Sequence, residues 1–329
     1  MATSGSVDFN VTRDELIRAS LRVLGQLDFR SDPSLPEYTT ASQALNILVK
    51  SWQNREIGLW LNSEATLHLD TSSLSYSLSS SGAHCAYTSY RTEVATAASS
   101  GASSIVVDSD DNITNGDFIG VELDDGTLQW TTVNGVPSND TVTLTASLTD
   151  DVSVDATVYN YTTKIDRPLG LIEIRSHSKA GNDTPMRIVS RNDYMVLSDK
   201  DTAGTPTLAY YDPQLSASKL YLWPVADSIE TRIKMTVKRP IEDFDATANN
   251  AEFPVEWLRA LKYNLAYELA PEYMLMYHRN PREFPRITHQ QLAIIADQAQ
   301  QSLYEAEQFD TTDASYTMVP DLDGYWYGV

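Results

Sequence analysis

The 329-residue chain is 42% hydrophobic and carries a formal net charge of −21, from 45 acidic and 24 basic residues. This length allows two or three packed units, and no stretch approaches the roughly 20 apolar residues that span a bilayer. Cys85 is the only cysteine, which excludes an intrachain disulfide and a multi-cysteine metal site; the first residues also lack a basic cluster and an apolar run, so we expect a soluble protein that is not conventionally secreted.

Two amphipathic helices are predicted near the start of the chain. Thr12 and Glu15 form a capping-box pattern before the first helix. Its apolar face is made by Leu16, Ala19, Val23 and Leu27. The second helix has Thr39 or Thr40 as its cap. Its apolar stripe is made by Ala44, Leu45, Leu48, Val49 and Trp52.

From residue 59 the apolar period changes to about two, which is typical of strands. A β-hairpin is predicted around residues 70–73. Five short strand patterns separated by turns then predict a small barrel or sandwich over residues 92–163, and four more strand patterns follow before residue 240. The 92–163 module has twelve acidic residues and neither Lys nor Arg, which favours a solvated acidic surface and argues against tight DNA binding there.

A polar linker is predicted at residues 240–253, followed by a long helix that Pro254 begins and Pro271 ends or kinks. Its apolar face contains Leu258, Leu261, Leu265 and Leu269. A last helix has its stripe at Leu292, Ile295, Ala299 and Leu303.

The predicted fold class is α+β. Because amphipathic helices at both ends of the chain need partner faces, we expect residues 1–58 and 241–308 to form one four-helix-type bundle. Residues 59–240 are then a large inserted antiparallel β region containing the acidic module, and residues 309–329 are an extended C-terminal arm. The residues expected to pack the bundle or a ring of copies are Leu16, Val23, Leu48, Trp52, Trp257, Leu261, Leu265 and Leu269.

The C-terminal arm combines acidic and aromatic residues and has no basic residue. Two interpretations are open: a frayed terminus, or a partner-binding arm whose aromatic side chains enter pockets. For the second, the candidate contact residues are Tyr316, Met318, Tyr325, Trp326 and Tyr327.

Candidate catalytic and metal groups are sparse. His84 and Cys85 are neighbours, but adjacent strand residues point to opposite faces. The Asp-rich residues 108–112 lack the glycine and distal glutamate of a calcium loop, and Glu268 and Glu272 are one helical turn apart as exposed glutamates often are. We therefore predict no enzyme, no metal site and no cofactor.

Several segments resemble the head-to-tail adaptor (connector) proteins of short-tailed bacteriophages and their prophage relatives. They are "DELIRASLRVLGQL" at 14–27, "LWLNSEATLHLDTSSLSYSL" at 59–78, "TPTLAYYDPQL" at 205–215, "KLYLWPVAD" at 219–227 and "RPIEDFDATANNAEFPVEWLRALKYNLAYELAPEY" at 239–273. The last segment is the most distinctive, and the 92–163 module looks like a family-variable insertion.

The resemblance implies a structural protein of the virion, made in the host cytoplasm and located at the head–tail interface. Such a protein assembles as a homo-oligomeric ring, of twelve subunits, beneath the portal protein and docks the tail nozzle or tail fibres. DNA passes through the ring without sequence-specific binding, no membrane is involved, and the C-terminal arm reaches the portal.

Two other functions remain open on the residues alone. One is a β-rich glycan-binding or tail-fibre-associated adhesin that uses aromatic rings as a sugar platform. Its candidate residues are Trp130, Tyr159, Tyr161, Tyr210 and Tyr211. The other is a hydrolase, for which the sequence shows no nucleophile motif or paired acids.

Overall fold

A computed structural model describes residues 9–53, 58–71, 73–246 and 249–310. The fold is mixed α+β with antiparallel sheets, as the sequence predicts. The chain divides into two compact units, with the divisions after Leu59 and after Pro240. We call the unit formed by the two ends of the chain the helical unit, and the unit formed by residues 60–240 the β unit.

The described residues contain five α-helices: α1 Arg13–Val23, α2 Leu35–Trp52, α3 Arg191–Val196, α4 Leu258–Arg279 and α5 His289–Asp310. Short 3-10 turns lie at Leu59–Leu61 and Val255–Trp257. The strands up to residue 143 are β1 Asn62–His68, β2 Ser75–Leu78, β3 Cys85–Ala86, β4 Tyr90–Thr96, β5 Ser104–Val107, β6 Phe118–Glu122, β7 Leu128–Thr132 and β8 Thr141–Thr143. Those that follow are β9 Thr157–Tyr161, β10 Gly170–His177, β11 Asp183–Pro185, β12 Arg187–Ile188, β13 Leu208–Asp212, β14 Ser218–Trp223 and β15 Arg232–Lys238.

The starts of α1 and α2 are both set by capping boxes. Thr12 and Glu15 cap α1 as predicted. The predicted cap of α2 is wrong, because α2 begins one turn earlier, where Ser34 is the N-cap and the Glu37 carboxylate accepts hydrogen bonds from the Ser34 N–H (2.7 Å) and hydroxyl (2.8 Å). Two hydrogen bonds between Ser34 and Glu37 thus mark the start of the helix.

In the helical unit, α4 contacts α1, α2 and α5. The helix does not end at Pro271 but continues to Arg279. Proline lacks the N–H that would bond to the carbonyl of Tyr267, so the helix continues through one missing hydrogen bond. These contacts show α1, α2 and α5 arranged around α4. A closed four-helix bundle remains a prediction.

The segment predicted as a polar linker is instead fastened to the N-terminal helices. Phe244 is buried, and its N–H donates to Asn46 Oδ1 at 2.9 Å. Lys50 Nζ lies 2.5 Å from the carbonyl oxygen of Ile241, and the Arg13 N–H donates to the carbonyl of Asn249 at 2.9 Å. These long-range bonds satisfy backbone groups that a free linker would leave to water.

Two sheets of the β unit share one apolar core. The order of strands is β11-β10-β15-β1-β3 in one sheet and β12-β13-β14-β2 in the other. The predicted hairpin is therefore wrong: β1 pairs with β15 and β3, whereas β2 pairs with β14. Leu67 of β1 and Leu78 of β2 are fully buried in the same core, so the turn carries the chain from one sheet to the other. Apolar alternation identifies the buried face of a strand but not its partner.

The acidic module forms a curled six-stranded sheet in the order β7-β6-β9-β4-β5-β8. All five predicted strands are present, and β4, which begins at Tyr90, precedes them. The two edges of the sheet meet at a bridge between Val133 and Leu144, which gives a half-closed barrel around its own apolar core.

Candidate functional site

The eight residues predicted to pack the bundle or ring lie in the helical unit. Val23 is half-buried, and the other seven, Leu16, Leu48, Trp52, Trp257, Leu261, Leu265 and Leu269, are buried. The rings of Trp52 and Trp257 lie 5.6 Å apart, centroid to centroid. These side chains fill the core of one chain, so contacts between copies must use other positions.

The exposed side of α2 is an uncharged stripe. Its members are spaced four residues apart and are all exposed: Leu35, Thr39, Gln43, Ile47 and Ser51. Ile47 is 66% exposed and Leu35 80% exposed. We call these five side chains the α2 stripe.

Charged residues flank the α2 stripe as ion pairs. Arg13 Nη2 lies 3.0 Å from Asp14 Oδ1, and Lys50 Nζ lies 2.7 Å from Asp243 Oδ1. An uncharged centre with a polar border is the usual composition of a protein–protein interface.

A cleft of about 280 Å³ lies between the N-terminal end of α2 and the C-terminal part of α4. Its walls come from three chain segments: Ser34, Pro36, Glu37, Thr40, Glu272, Tyr273, Met276 and Phe284. The rings of Tyr273 and Phe284 meet edge to face at 6.1 Å between centroids. Burial raises the pKa of the Tyr273 hydroxyl, whose oxygen lies 3.5 Å from Glu37 Oε1.

The α4–α5 connection beside this cleft is basic. Arg279, Arg282 and Arg286 are exposed, and none of them makes an ion pair or a side-chain hydrogen bond within the described residues. The connection is held in place by buried Ile287 and by Gln26 Nε2, which donates to the carbonyl of Pro285 at 3.1 Å. Its arginines are thus displayed from an anchored segment.

The predicted arm contacts Tyr316, Met318, Tyr325, Trp326 and Tyr327 lie outside the described residues. The two residues placed first in the arm, Phe309 and Asp310, belong to α5. Asp310 is buried, and its carboxylate accepts a short hydrogen bond from the Gly58 N–H. The end of α5 is thereby fixed to the segment that follows α2.

No protein-family model matches the chain, and no curated protein matches it. Among solved structures, the chain has a likeness to the tailspike of the Acinetobacter baumannii bacteriophage AP22, solved in complex with A. baumannii capsular saccharide. The match covers 22% of this chain and 14% of that chain, with 15% sequence identity and a TM-score of 0.20. A likeness this small carries no argument about fold or function.

The five aromatic residues of the glycan hypothesis do not share one exposed surface. Tyr159 and Tyr161 are buried beside His68, at ring centroid distances of 4.3 and 6.4 Å, with half-buried Trp130 on the same cluster. The other two lie elsewhere: Tyr210 stacks on Tyr194 and Tyr221, while the Tyr211 hydroxyl donates to the carbonyl of Pro168 at 2.5 Å. A sugar platform needs an exposed ring face, which buried Tyr159, Tyr161 and Tyr210 do not offer.

The neighbours His84 and Cys85 do not form a nucleophile and base. Burial raises the pKa of the Cys85 thiol, which keeps it protonated and unreactive. His84 Nδ1 lies 3.2 Å from Trp130 Nε1, which can only donate, and 3.2 Å from the carbonyl oxygen of His68, which can only accept, so the tautomer of His84 decides which of the two hydrogen bonds forms. Burial also lowers the pKa of His84.

Within the described residues, no three His, Cys, Asp or Glu side chains gather as a metal site requires. A membrane-spanning helix is not found in that part of the chain either. Glu268 and Glu272 are exposed on α4, and Glu272 lines the cleft.

Sequence reasoning missed the cleft and the basic connection. A local signal for the second exists, since three arginines fall within the eight residues 279–286 of a chain with net charge −21. The cleft has no such signal, because it depends on Phe284 folding back onto Tyr273 and on the true start of α2.

Proposed function

We propose that the chain is a structural protein of a bacteriophage tail, and more specifically a head-to-tail adaptor. In this proposal, copies assemble side by side as a ring, of twelve subunits, below the portal protein. The ring extends the DNA channel and docks the tail nozzle or fibres, so the protein acts in the virion without catalysis, cofactor or membrane. Its proposed partners are the portal, the tail components and further copies of itself.

The observation that carries the proposal is the α2 stripe. In an acidic chain, a row of five exposed side chains without charge is a surface that a second copy can cover without desolvating a charge. The core residues beneath it, such as Leu45 and Val49, are already buried within the chain. The stripe is therefore free for a lateral contact, which in a closed ring joins two different faces of neighbouring copies.

The rest of the helical unit is also rich in exposed apolar groups. More than half of the large exposed apolar side chains of the described residues fall on this unit, although it has fewer described residues than the β unit. Among them are Leu275 at 65%, Ile294 at 57% and Tyr304 at 60% exposure. Each copy in a ring needs a second face for its other neighbour, and α4 and α5 supply candidates.

The acidic module fits a role beside DNA that does not include binding it. Affinity for duplex DNA comes largely from the release of counterions when Lys or Arg meets phosphate. Between residues 92 and 163 there is no Lys or Arg to do so. A channel or docking surface built from this module would let DNA pass without retaining it.

Exchange of Ile47 for aspartate tests the lateral contact. Ile47→Asp places a charge in the centre of the α2 stripe at an exposed position, so the variant should fold, with an unchanged circular dichroism spectrum, and should fail to form rings on the portal. Leu215→Asp is the matched control, since Leu215 is 93% exposed in the β unit. Ring assembly by both variants, seen by negative-stain imaging, would count against the stripe as the interface.

A further inference from the structure

The cleft and the basic connection form one continuous surface with two kinds of chemistry. Phe284 lines the cleft and lies between Arg282 and Arg286 in sequence. Met276 lines it from α4, one helical turn before Arg279. We call this surface, defined by the cleft residues and these three arginines, the α4–α5 surface.

Its first part suits an aromatic side chain. A cavity of about 150 Å³ with apolar walls accommodates a benzene molecule, and this cleft is nearly twice as large. Tyr273, Met276 and Phe284 provide the apolar walls, while the Glu37 and Glu272 carboxylates at its border can accept hydrogen bonds. Tyr O–H and Trp N–H are the donors that buried aromatic residues need to satisfy.

Its second part suits an acidic chain. Residues 279–286 contain three arginines and one carboxylate, Glu283, which accepts from Asn280 Nδ2 at 3.4 Å. The arginines meet no carboxylate of the described residues. Guanidinium groups without a carboxylate partner are the preferred sites for Asp and Glu side chains.

The C-terminal segment of the same chain has both matching properties. Residues 311–329 contain Asp313, Asp321 and Asp323 and no Lys or Arg. The last two aspartates precede the aromatic run Tyr325, Trp326 and Tyr327 directly, with only Gly324 between. An acidic pair followed by aromatic rings is complementary to a surface on which arginines lie beside an apolar cleft.

The segment is also long enough to reach. The α4–α5 surface lies at the beginning of α5 and the segment follows its end, a helix length of roughly 33 Å for 22 residues. The sixteen residues that follow Asp310, up to and including Trp326, span up to about 53 Å when extended. Attachment to the same chain gives the segment an effective concentration on the order of millimolar at a site within reach.

We propose that residues 311–329 bind the α4–α5 surface of their own chain, with Asp321 and Asp323 at the arginines and one ring of the 325–327 run in the cleft. Nucleic acid is the competing occupant for three free arginines, but its phosphates account for the basic part of the surface and leave the aromatic cleft without a role. The contact is internal to the chain and independent of the adaptor proposal. On a portal, the arm would have to leave this surface to bind elsewhere.

Photocrosslinking of the full chain tests this contact. Tyr327 is replaced by p-benzoylphenylalanine, the protein is irradiated at low micromolar concentration, and crosslinked peptides are identified by mass spectrometry. We expect a monomeric product joined to the peptides that contain Met276 or Phe284. Crosslinks that lie elsewhere, or a covalent dimer as the main product, would overturn the proposal.

Charge variants test whether the arginines and the two aspartates hold this contact. Replacement of Arg279, Arg282 and Arg286 by glutamine should reduce the crosslink yield at least about fivefold, whereas Arg187→Gln with Arg191→Gln, two exposed arginines of the β unit, should not. Asp321→Arg with Asp323→Arg should reduce the yield similarly, and adding Arg282→Asp with Arg286→Asp should restore it. A triple-glutamine variant that keeps its crosslinks but loses binding to a 30-base-pair duplex would assign the arginines to nucleic acid and contradict the proposal.

Discussion

The hydroxyl oxygen of Ser20 lies 2.9 Å from the carbonyl oxygen of Leu16 in its own helix and 3.0 Å from that of Lys262 in α4. Ser20 is fully buried, so a small side chain separates α1 from α4 at this point. This contact joins residues 242 positions apart and fixes the N-terminal end of the chain to its C-terminal part.

Enlarging Ser20 should therefore separate the two helices. Ser20→Leu adds volume where none is free, and we expect the free energy of unfolding to fall by about 1 to 3 kcal/mol. Ser20→Ala keeps the spacing and loses one hydrogen bond, at a cost of about 1 kcal/mol. Urea unfolding measures both. Equal stability of the leucine variant and the parent would show that α1 and α4 do not approach closely at Ser20.

A charge at Leu265 should be far more damaging. This side chain is fully buried in α4, so Leu265→Asp leaves a carboxylate without a partner and should cost several kcal/mol, enough to unfold the helical unit. Tyr267→Asp is the control in the same helix, because Tyr267 is 47% exposed. A soluble Leu265→Asp protein with its full helical signal would mean that the assigned face is wrong.

We predict that residue 120 must be glycine, because the indole ring of Trp130 lies close to where a side chain at this position would be. A Cβ at residue 120 would lie 3.0 Å from three atoms of that ring, whose Nε1 lies 3.2 Å from His84 Nδ1. Gly120→Ala should lower the stability of the β unit by about 1 to 3 kcal/mol. Gly170→Ala, also in a strand, has open space around its Cβ and should be nearly neutral. Thermal melts of the two variants that coincide would contradict this packing.

His68 should make stability depend on pH. Burial, with smaller effects of Arg232 and His84, lowers the pKa of His68 to about 3, and both ring nitrogens lack a hydrogen-bond partner among the described residues. In the unfolded chain His68 binds a proton with a pKa near 6.5, whereas in the folded chain it stays neutral down to about pH 3. The contribution of neutral His68 to the free energy of unfolding is therefore complete above pH 6.5 and is lost as the pH falls toward 3.

His68→Phe removes that titration and keeps a ring against Tyr159. Between pH 7.5 and pH 4.5 the parent should lose roughly 2 to 3 kcal/mol more than the variant. Urea titrations of both proteins at the two pH values measure this difference in lost stability. The contributions of the other titrating groups are common to both proteins and cancel. The same pH dependence in both proteins would place His68 in contact with water.

Local signals in the sequence were sufficient to predict the helices and most strands, but not to predict which strands pair with each other. The Thr12–Glu15 box and the period-two runs identified α1 and most strands, since each depends on residues a few positions apart. The separation of β1 and β2 into different sheets depends on strands near residues 220 and 235, which no local pattern specifies.

In the candidate site, too, some features could be predicted from local sequence and others depend on the fold. The arginines of the α4–α5 connection are visible in the sequence, whereas the cleft beside them needs Pro36, Tyr273 and Phe284 to meet from three segments. The interior role of Leu261 and Leu265 followed from helical spacing, but the exposed α2 stripe became visible only once the start of α2 at Leu35 was known.

Assembly on the portal is the central claim, and native mass measurement with negative-stain imaging tests it most directly. The purified protein is examined alone and after mixing with its portal ring. The account predicts a ring of adaptor copies on the portal, with a mass that corresponds to a fixed number of chains per portal. A protein that stays monomeric and leaves the mass of the portal unchanged would contradict it.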